Sequence, residues 1–161
     1  MNQKNRILLD AGLFIGALLR EDIRHVEARP LVEAARRGDL EAYTTTGILS
    51  EVYAALTWIK AEPRHSPEEA AAAVRLLVEI PSAIKVLPDG IEVSLKMLEL
   101  AEKHGLTSRR IHDARHAAAA FKAGITNIYT YDINDWKIFR SDGLSITGPN
   151  SILSKLVKKK A

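Results

Sequence analysis

Cysteine is absent from the sequence, so disulfide bonds and thiolate metal sites are excluded, and carboxylates are the ligands available for a hard cation. No apolar run approaches the roughly 20 residues that a membrane-spanning helix requires. The N-terminal residues also lack the apolar segment and small-residue cleavage site of a secretory signal. We therefore expect a cytoplasmic protein without a membrane partner.

The composition is typical of a globular protein with a basic excess. Of the 161 residues, 47% are hydrophobic and 27% are charged, and a chain of this length buries roughly 70% of the surface that it exposes when unfolded. Because the sequence shows no linker and no repeat, we expect a single domain over residues 1–161. The net charge of +3 weakly favours an anionic partner, although the lysines of residues 155–161 are also typical of a solvated chain end.

Short runs of β-forming residues alternate with helical stretches along the sequence. This alternation predicts an α/β fold with three layers, α/β/α, in which helices cover both faces of a mostly parallel sheet of four or five strands. The predicted strands are 6–9, 41–45, 84–87, 125–131 and an edge strand, 144–147. The predicted helices cover 11–19, 25–37, 46–61, 67–79, 89–104 and 111–123, and a last helix begins at Pro149.

Three local features accompany this prediction. Pro30 should either kink the second helix or begin a new one. Asp89 and Glu92 form a pair that is typical of a helix N-terminus. The residues from 132 to 135 are acidic or carry an amide, apart from one isoleucine, and predict a loop.

Acidic residues recur at equivalent places in this predicted fold. Asp10 ends the first strand, Glu51 and Asp113 lie near the starts of helices, and Asp132 and Asp135 follow the fourth strand. Strand ends and the starts of the following helices share one edge of a parallel sheet, which is where ligands bind in open α/β folds. We therefore expect these carboxylates to meet in one cleft.

Each of these acids, taken alone, also fits a structural role as a helix cap, a turn residue or an exposed helix acid. Carboxylates held together repel each other, and their pKa values rise unless a cation offsets the charge. Mg²⁺ or Mn²⁺ suits such a site because hard cations take oxygen ligands. A divalent cation in that position can activate water and stabilise the charge that develops on a phosphodiester.

Basic residues and histidines flank Asp113. Arg109 and Arg110 are candidates for holding substrate phosphates, and His116, one helical turn from Asp113, is a candidate for the same cleft. The alternative interpretation makes the arginines surface residues and the histidine an ordinary one. For Trp136 we expect a place in the hydrophobic core instead of a role in stacking on bases.

Several motifs resemble those of one family when they are taken in order along the chain. They are Ile-Leu-Leu-Asp at 7–10, Ile-Leu-Ser-Glu-Val at 48–52, Ile-His-Asp-Ala at 111–114 and Tyr-Thr-Tyr-Asp-Ile-Asn-Asp-Trp at 129–136, followed by the stretch 143–149. In order and spacing they resemble PIN-domain proteins, and most of all the VapC-type toxins of toxin–antitoxin pairs. The resemblance covers nearly the whole chain.

This resemblance implies a PIN-like fold and a Mg²⁺- or Mn²⁺-dependent endoribonuclease that forms a homodimer and is neutralised by a small antitoxin protein. Carried over by motif, Asp10, Glu51 and Asp113 are the main acids, and the fourth is either Asp132 or Asp135. The apolar first and third helices are the candidate dimer interface.

The sequence departs from the family pattern after the first acid, where Thr or Ser and then a small polar residue are usual. Ala11 and Gly12 stand there instead, so we expect fewer polar groups to orient Asp10. The leading hypothesis is hydrolysis of RNA by an activated water without a covalent intermediate. The alternative is a catalytically weak PIN domain that binds RNA or a protein partner.

A phosphoacceptor domain fits the sequence poorly. A haloacid-dehalogenase-like site needs a second Asp where Gly12 stands, and a response-regulator receiver needs its phosphoacceptor where Leu87 and Pro88 stand.

Overall fold

The computed structural model describes residues 5–149. Within this range a five-stranded sheet has the order β3-β2-β1-β4-β5, and every pair of neighbouring strands is parallel. The strands are β1 (Arg6–Leu9), β2 (Glu41–Thr45), β3 (Lys85–Leu87), β4 (Asn127–Tyr129) and β5 (Ser145–Thr147). The predicted α/β fold with a parallel sheet is therefore confirmed. The predicted final helix and the lysines of 155–161 fall on residues 150–161, outside the described range.

Helices connect these strands. They are α1 (Ala11–Leu18), α2 (His25–Arg37), α3 (Thr46–Thr57), α4 (Pro67–Val78), α5 (Ile91–His104), α6 (Ile111–Lys122) and α7 (Ile133–Trp136). Two 3₁₀ segments, Ser108–Arg110 and Lys137–Asp142, lie before α6 and after α7. Within residues 5–149, none of the helices has the length and apolar character needed to cross a membrane.

The core forms around β1 because this strand lies at the centre of the sheet. Ile7, Leu8 and Leu9 are at most 2% exposed, as expected for a strand covered by helices on both faces. The alanines of α6, residues 117–120, are buried, since small side chains let a helix pack closely. This helix ends at Gly124, whose φ of +68° a residue with a side chain rarely adopts.

The C-terminal end of α3 and the N-terminal end of α5 differ from the prediction. Helix α3 begins after Thr45, whose hydroxyl accepts a hydrogen bond from Ile48 N, and ends at Thr57 instead of residue 61. The residue before α5 is Gly90, which provides no side-chain cap. Asp89 does not cap α5, because its carboxylate accepts hydrogen bonds from Thr46 and Arg115 on other elements.

The acidic stretch after β4 also differs from the prediction, and Pro30 does not begin a new helix. Pro30 lies inside α2 without ending it, because the carbonyl that loses its donor belongs to the exposed first turn, where water can replace the bond. The predicted loop over residues 132–135 contains the short helix α7. In this turn the backbone N–H groups of Asp135 and Trp136 donate to Asp132 O, and the Trp136 side chain is fully buried.

Candidate functional site

Asp10 follows β1 and lies almost completely buried at the carboxyl edge of the sheet, with 6% of its surface exposed. Its Oδ1 accepts a hydrogen bond from Ala11 N at 2.9 Å. Its Oδ2 accepts from Thr130 Oγ1 at 2.7 Å and from Trp136 Nε1 at 3.1 Å. Burial raises the pKa of Asp10, and the bond from Thr130 opposes that rise.

The expectation that few polar groups orient Asp10 is therefore wrong. That expectation was based only on Ala11 and Gly12, the residues that follow Asp10 along the chain. The donors come from Thr130, just past the neighbouring parallel strand β4, and from Trp136 at the end of α7. A polar residue directly after an apolar strand is the signal that could have identified Thr130.

Asp113 lies in the first turn of α6, with 28% of its side chain exposed. Burial, together with the negative charges of Asp10 and Asp135, raises the pKa of Asp113 to about 6. The positive charge of Arg110 acts in the opposite direction. The charges of Asp10 and Asp135 therefore act on Asp113, although the three residues come from different parts of the sequence.

Glu51 on α3 is tied to His116 on α6. His116 Nε2 lies 2.7 Å from Glu51 Oε1, and His116 Nδ1 lies 2.9 Å from Thr45 Oγ1. Because a carboxylate oxygen can only accept, the ring hydrogen of a neutral imidazole lies on Nε2, and Nδ1 then accepts from the Thr45 hydroxyl. That hydrogen is donated to Glu51.

His116 lies in the protein interior and not at the surface. The side chain is only 2% exposed and both ring nitrogens have partners. A Cβ atom on Gly47 would lie 2.9 Å from His116 Cε1, so the glycine makes room for the ring. Thr45, at the end of β2, was not recognised from the sequence as part of this arrangement.

The two acids after β4 have different neighbours. Asp135 adds negative charge beside Asp113 and raises its pKa. Asp22 raises the pKa of Arg24 most, through its hydrogen bond and its charge. The charge of Asp132 raises the same pKa to a smaller extent. Of the two candidates for the fourth acid, Asp135 is the one whose charge acts on Asp113.

The two arginines before α6 are also placed differently. Arg110 Nη2 donates to the carbonyl oxygen of Asp135 at 2.7 Å, and its Nε lies 3.9 Å from Asp113 Oδ2. Arg110 thereby connects the start of α6 to α7. Arg109 is exposed at the surface.

The chemistry of this cleft fits a hard divalent cation. Glu51 also raises the pKa of Asp10, so the four acids Asp10, Glu51, Asp113 and Asp135 are linked by pairwise repulsion. Over residues 5–149, no three acidic or histidine side chains close around one point as a preformed ligand set. A cation such as Mg²⁺ keeps several waters and needs only one or two direct carboxylate ligands.

The chain belongs to the PIN domain family, since its residues 7–139 match the sequence model of that family. The resemblance drawn from the sequence motifs is thereby confirmed. No curated protein sequence matches the chain significantly.

Solved structures share the fold at low sequence identity. The Mycobacterium tuberculosis toxin VapC20, described as cleaving the sarcin-ricin loop, has a TM-score of 0.64 and 20% identity, over 86% of this chain and 96% of that one. VapBC2 from Rickettsia felis, bound to a promoter DNA fragment, has a TM-score of 0.62 and 14% identity, over 89% and 98% of the two chains. PAE2754 from Pyrobaculum aerophilum has a TM-score of 0.58 and 22% identity, over 97% and 98%.

Proposed function

We propose that this protein is a Mg²⁺- or Mn²⁺-dependent endoribonuclease and the toxin of a type II toxin–antitoxin pair. The observation that carries the proposal is the buried carboxylate of Asp10 at the carboxyl end of the central strand, which lies close enough to Asp113 for its charge, with that of Asp135, to raise the pKa of Asp113. A PIN fold that holds carboxylates close enough to repel one another favours a cation site. The similar structures, which include toxins and toxin–antitoxin complexes, support the same conclusion.

The cation would be held by Asp10, Glu51, Asp113 and Asp135, with Asp132 at the margin of the site. Oδ2 of Asp10 already accepts two hydrogen bonds, whereas Oδ1 accepts one from Ala11 N and keeps acceptor capacity. When bound, a divalent cation supplies a water of lowered pKa and stabilises the charge that develops on the phosphodiester.

The remaining residues would hold these acids in position. Thr130 and Trp136 fix Asp10, Arg110 holds α7 against α6, and His116 fixes one oxygen of Glu51. In this proposal His116 is a positioning residue and does not contact RNA.

The role of His116 can be tested by its replacement. His116→Leu removes the donor to Glu51, and we expect the apparent Kd for Mn²⁺ to rise by about 10- to 100-fold, as for other residues that support metal ligands. His116→Gln keeps an amide N–H near the position of Nε2 and should recover much of that affinity. The measurement is calorimetric titration with Mn²⁺, with thermal melting as the check on folding. Equal Mn²⁺ affinities in the leucine and glutamine variants would remove the positioning role.

The proposed activity is tested by incubating the purified protein with a structured RNA in Mn²⁺, in Mg²⁺ and in EDTA. We expect multiple turnovers with the cations and none in EDTA. The alternative, a catalytically weak PIN domain that binds RNA or a partner, predicts salt-sensitive RNA binding without turnover that depends on a cation. Cleavage that persists unchanged in EDTA would contradict the metal-dependent reaction.

We also infer a homodimer and a small antitoxin as partners, since several similar structures are toxin–antitoxin complexes. The first helix is a poor candidate interface, because most of α1 is buried in the core. The third helix and the segment after it fit better, with Tyr53, Trp58 and Ile59 between 36% and 73% exposed.

A further inference from the structure

Two glycines on α1 provide a groove that Arg24 fills. A Cβ atom on Gly12 would lie 2.9 Å from Arg24 Nη1. One turn later, a Cβ atom on Gly16 would lie 2.9 Å from Arg24 Cβ and 3.2 Å from Ala28 Cβ. The side chain of Arg24 therefore lies along α1 in space that larger residues would occupy.

The guanidinium of Arg24 is held in a fixed orientation. Its Nε and Nη2 donate to the two carboxylate oxygens of Asp22 at 2.9 and 2.7 Å, and its Cζ lies 5.4 Å from the centre of the Tyr131 ring. This bidentate pair orders the planar fork. The third nitrogen, Nη1, is the one directed at Gly12, and 30% of the side chain remains exposed.

This arginine lies at the rim of the acidic cleft. Gly12 is in the first turn of α1, two residues after Asp10, and Tyr131 directly precedes Asp132. The charge of Asp132 acts on Arg24. A cleft lined by carboxylates repels the RNA backbone. A guanidinium that Asp22 holds in place beside the cleft offers a phosphate fixed hydrogen-bond donors there.

We propose that Arg24 is a substrate-binding residue whose guanidinium donates to a backbone phosphate of RNA at the rim of the cleft. The inference rests on the proposed ribonuclease function and adds a residue that binds its substrate. It also explains Gly12, because the small polar side chain usual at that position would occupy the space of the guanidinium. A protein carboxylate from a partner is the competing ligand for the same group.

The test measures binding of a fluorescein-labelled, mixed-sequence single-stranded oligoribonucleotide by anisotropy in EDTA, over a series of salt concentrations. We expect Arg24→Gln to weaken binding about tenfold, as for loss of a hydrogen bond to a charged group. The slope of log K against log salt should become shallower by about 0.7, the contribution of one phosphate on a single strand. Arg24→Lys keeps the charge and should retain the slope.

The matched control is Arg20→Gln, which removes the same charge from an exposed position in the segment between α1 and α2. Arg20→Gln should change the slope by less than half as much as Arg24→Gln does. Thermal melting checks folding, and Gly12→Ala provides a variant without change of charge if Arg24→Gln is unfolded. Because its methyl group displaces Nη1, we expect Gly12→Ala to weaken RNA binding severalfold.

The outcomes separate this inference from the proposed function. If the wild type binds and cleaves RNA and Arg24→Gln binds with the same affinity and slope, only the role of Arg24 is overturned. If the wild type binds no RNA in EDTA and cleaves none with Mn²⁺, the ribonuclease proposal fails and the inference fails with it. If Arg24→Gln loses binding of a polyglutamate peptide while RNA binding is unchanged, the arginine recognises a protein and the inference is overturned.

Discussion

Asp113→Asn should abolish cation-dependent cleavage of RNA and, at neutral pH, make the metal-free protein more stable. A bound cation stabilises the charge of the transition state by several kcal/mol, and the substitution removes one of its ligands. We therefore expect kcat/KM to fall by about a thousandfold or more. The amide also removes a negative charge that is repelled by Asp10 and Asp135. After allowance for the solvent-exposed part of the side chain, we expect a gain of about 1–2 kcal/mol in the free energy of unfolding.

The pH dependence of stability follows from the same carboxyl group. Burial, Asp10 and Asp135 raise its pKa from 3.8 to about 6 in the folded protein. Between these two values the folded state binds more protons than the unfolded state, so the stability of the metal-free protein falls as the pH rises. Asp113→Asn should flatten that decline, which urea unfolding in EDTA at a series of pH values will measure.

Addition of Mn²⁺ completes the experiment. The wild type should gain thermal stability with increasing Mn²⁺, because a ligand of the folded state stabilises it by mass action, whereas Asp113→Asn should not. The matched control is Asp39→Asn, which removes an exposed acid paired with Arg37 at the surface. Full cleavage activity in Asp113→Asn would rule out the proposed site.

Trp136→Ala should be the most destabilising of the substitutions considered, with a loss of about 3–5 kcal/mol in the free energy of unfolding. Trp136 is fully buried and meets Phe139 edge to face, with ring centres 5.8 Å apart. Removing the indole leaves a large cavity and deprives Asp10 of one donor. Since domains are stable by only about 5–15 kcal/mol, this change approaches the limit of folding.

Two further variants separate packing from hydrogen bonding. Trp136→Phe keeps most of the ring and removes the N–H donor to Asp10, so we expect a loss of about 1–3 kcal/mol. Trp58→Ala is the matched control, because Trp58 is 57% exposed and should change stability by only about 0.5 kcal/mol. Chemical denaturation gives all three values. Equal losses for Trp58→Ala and Trp136→Ala would contradict the buried position of Trp136.

Local patterns predicted most of the helices and strands. Local causes act at several of these ends: Ser66 and Glu69 form a capping box before α4, and glycines with positive φ at 38, 105 and 124 follow the ends of α2, α5 and α6. The burial of Trp136 was likewise predicted correctly. The predictions failed where a distant residue competed for a local group, as when Arg115 and Thr46 engaged Asp89 and left α5 without a side-chain cap.

The sequence by itself determined the parallel α/β fold, because strands and helices alternate along it. It also predicted carboxylates at one edge of the sheet, since strand ends and the following helix starts share that edge whatever the strand order. The tertiary structure alone decided which groups meet there. Thr130 reaches Asp10 across 120 positions, and His116 reaches Glu51 across 65. Arg24 occupies the space above Gly12 on a different helix. Such pairs depend on how strands and helices pack side by side, which no local spacing of residues encodes.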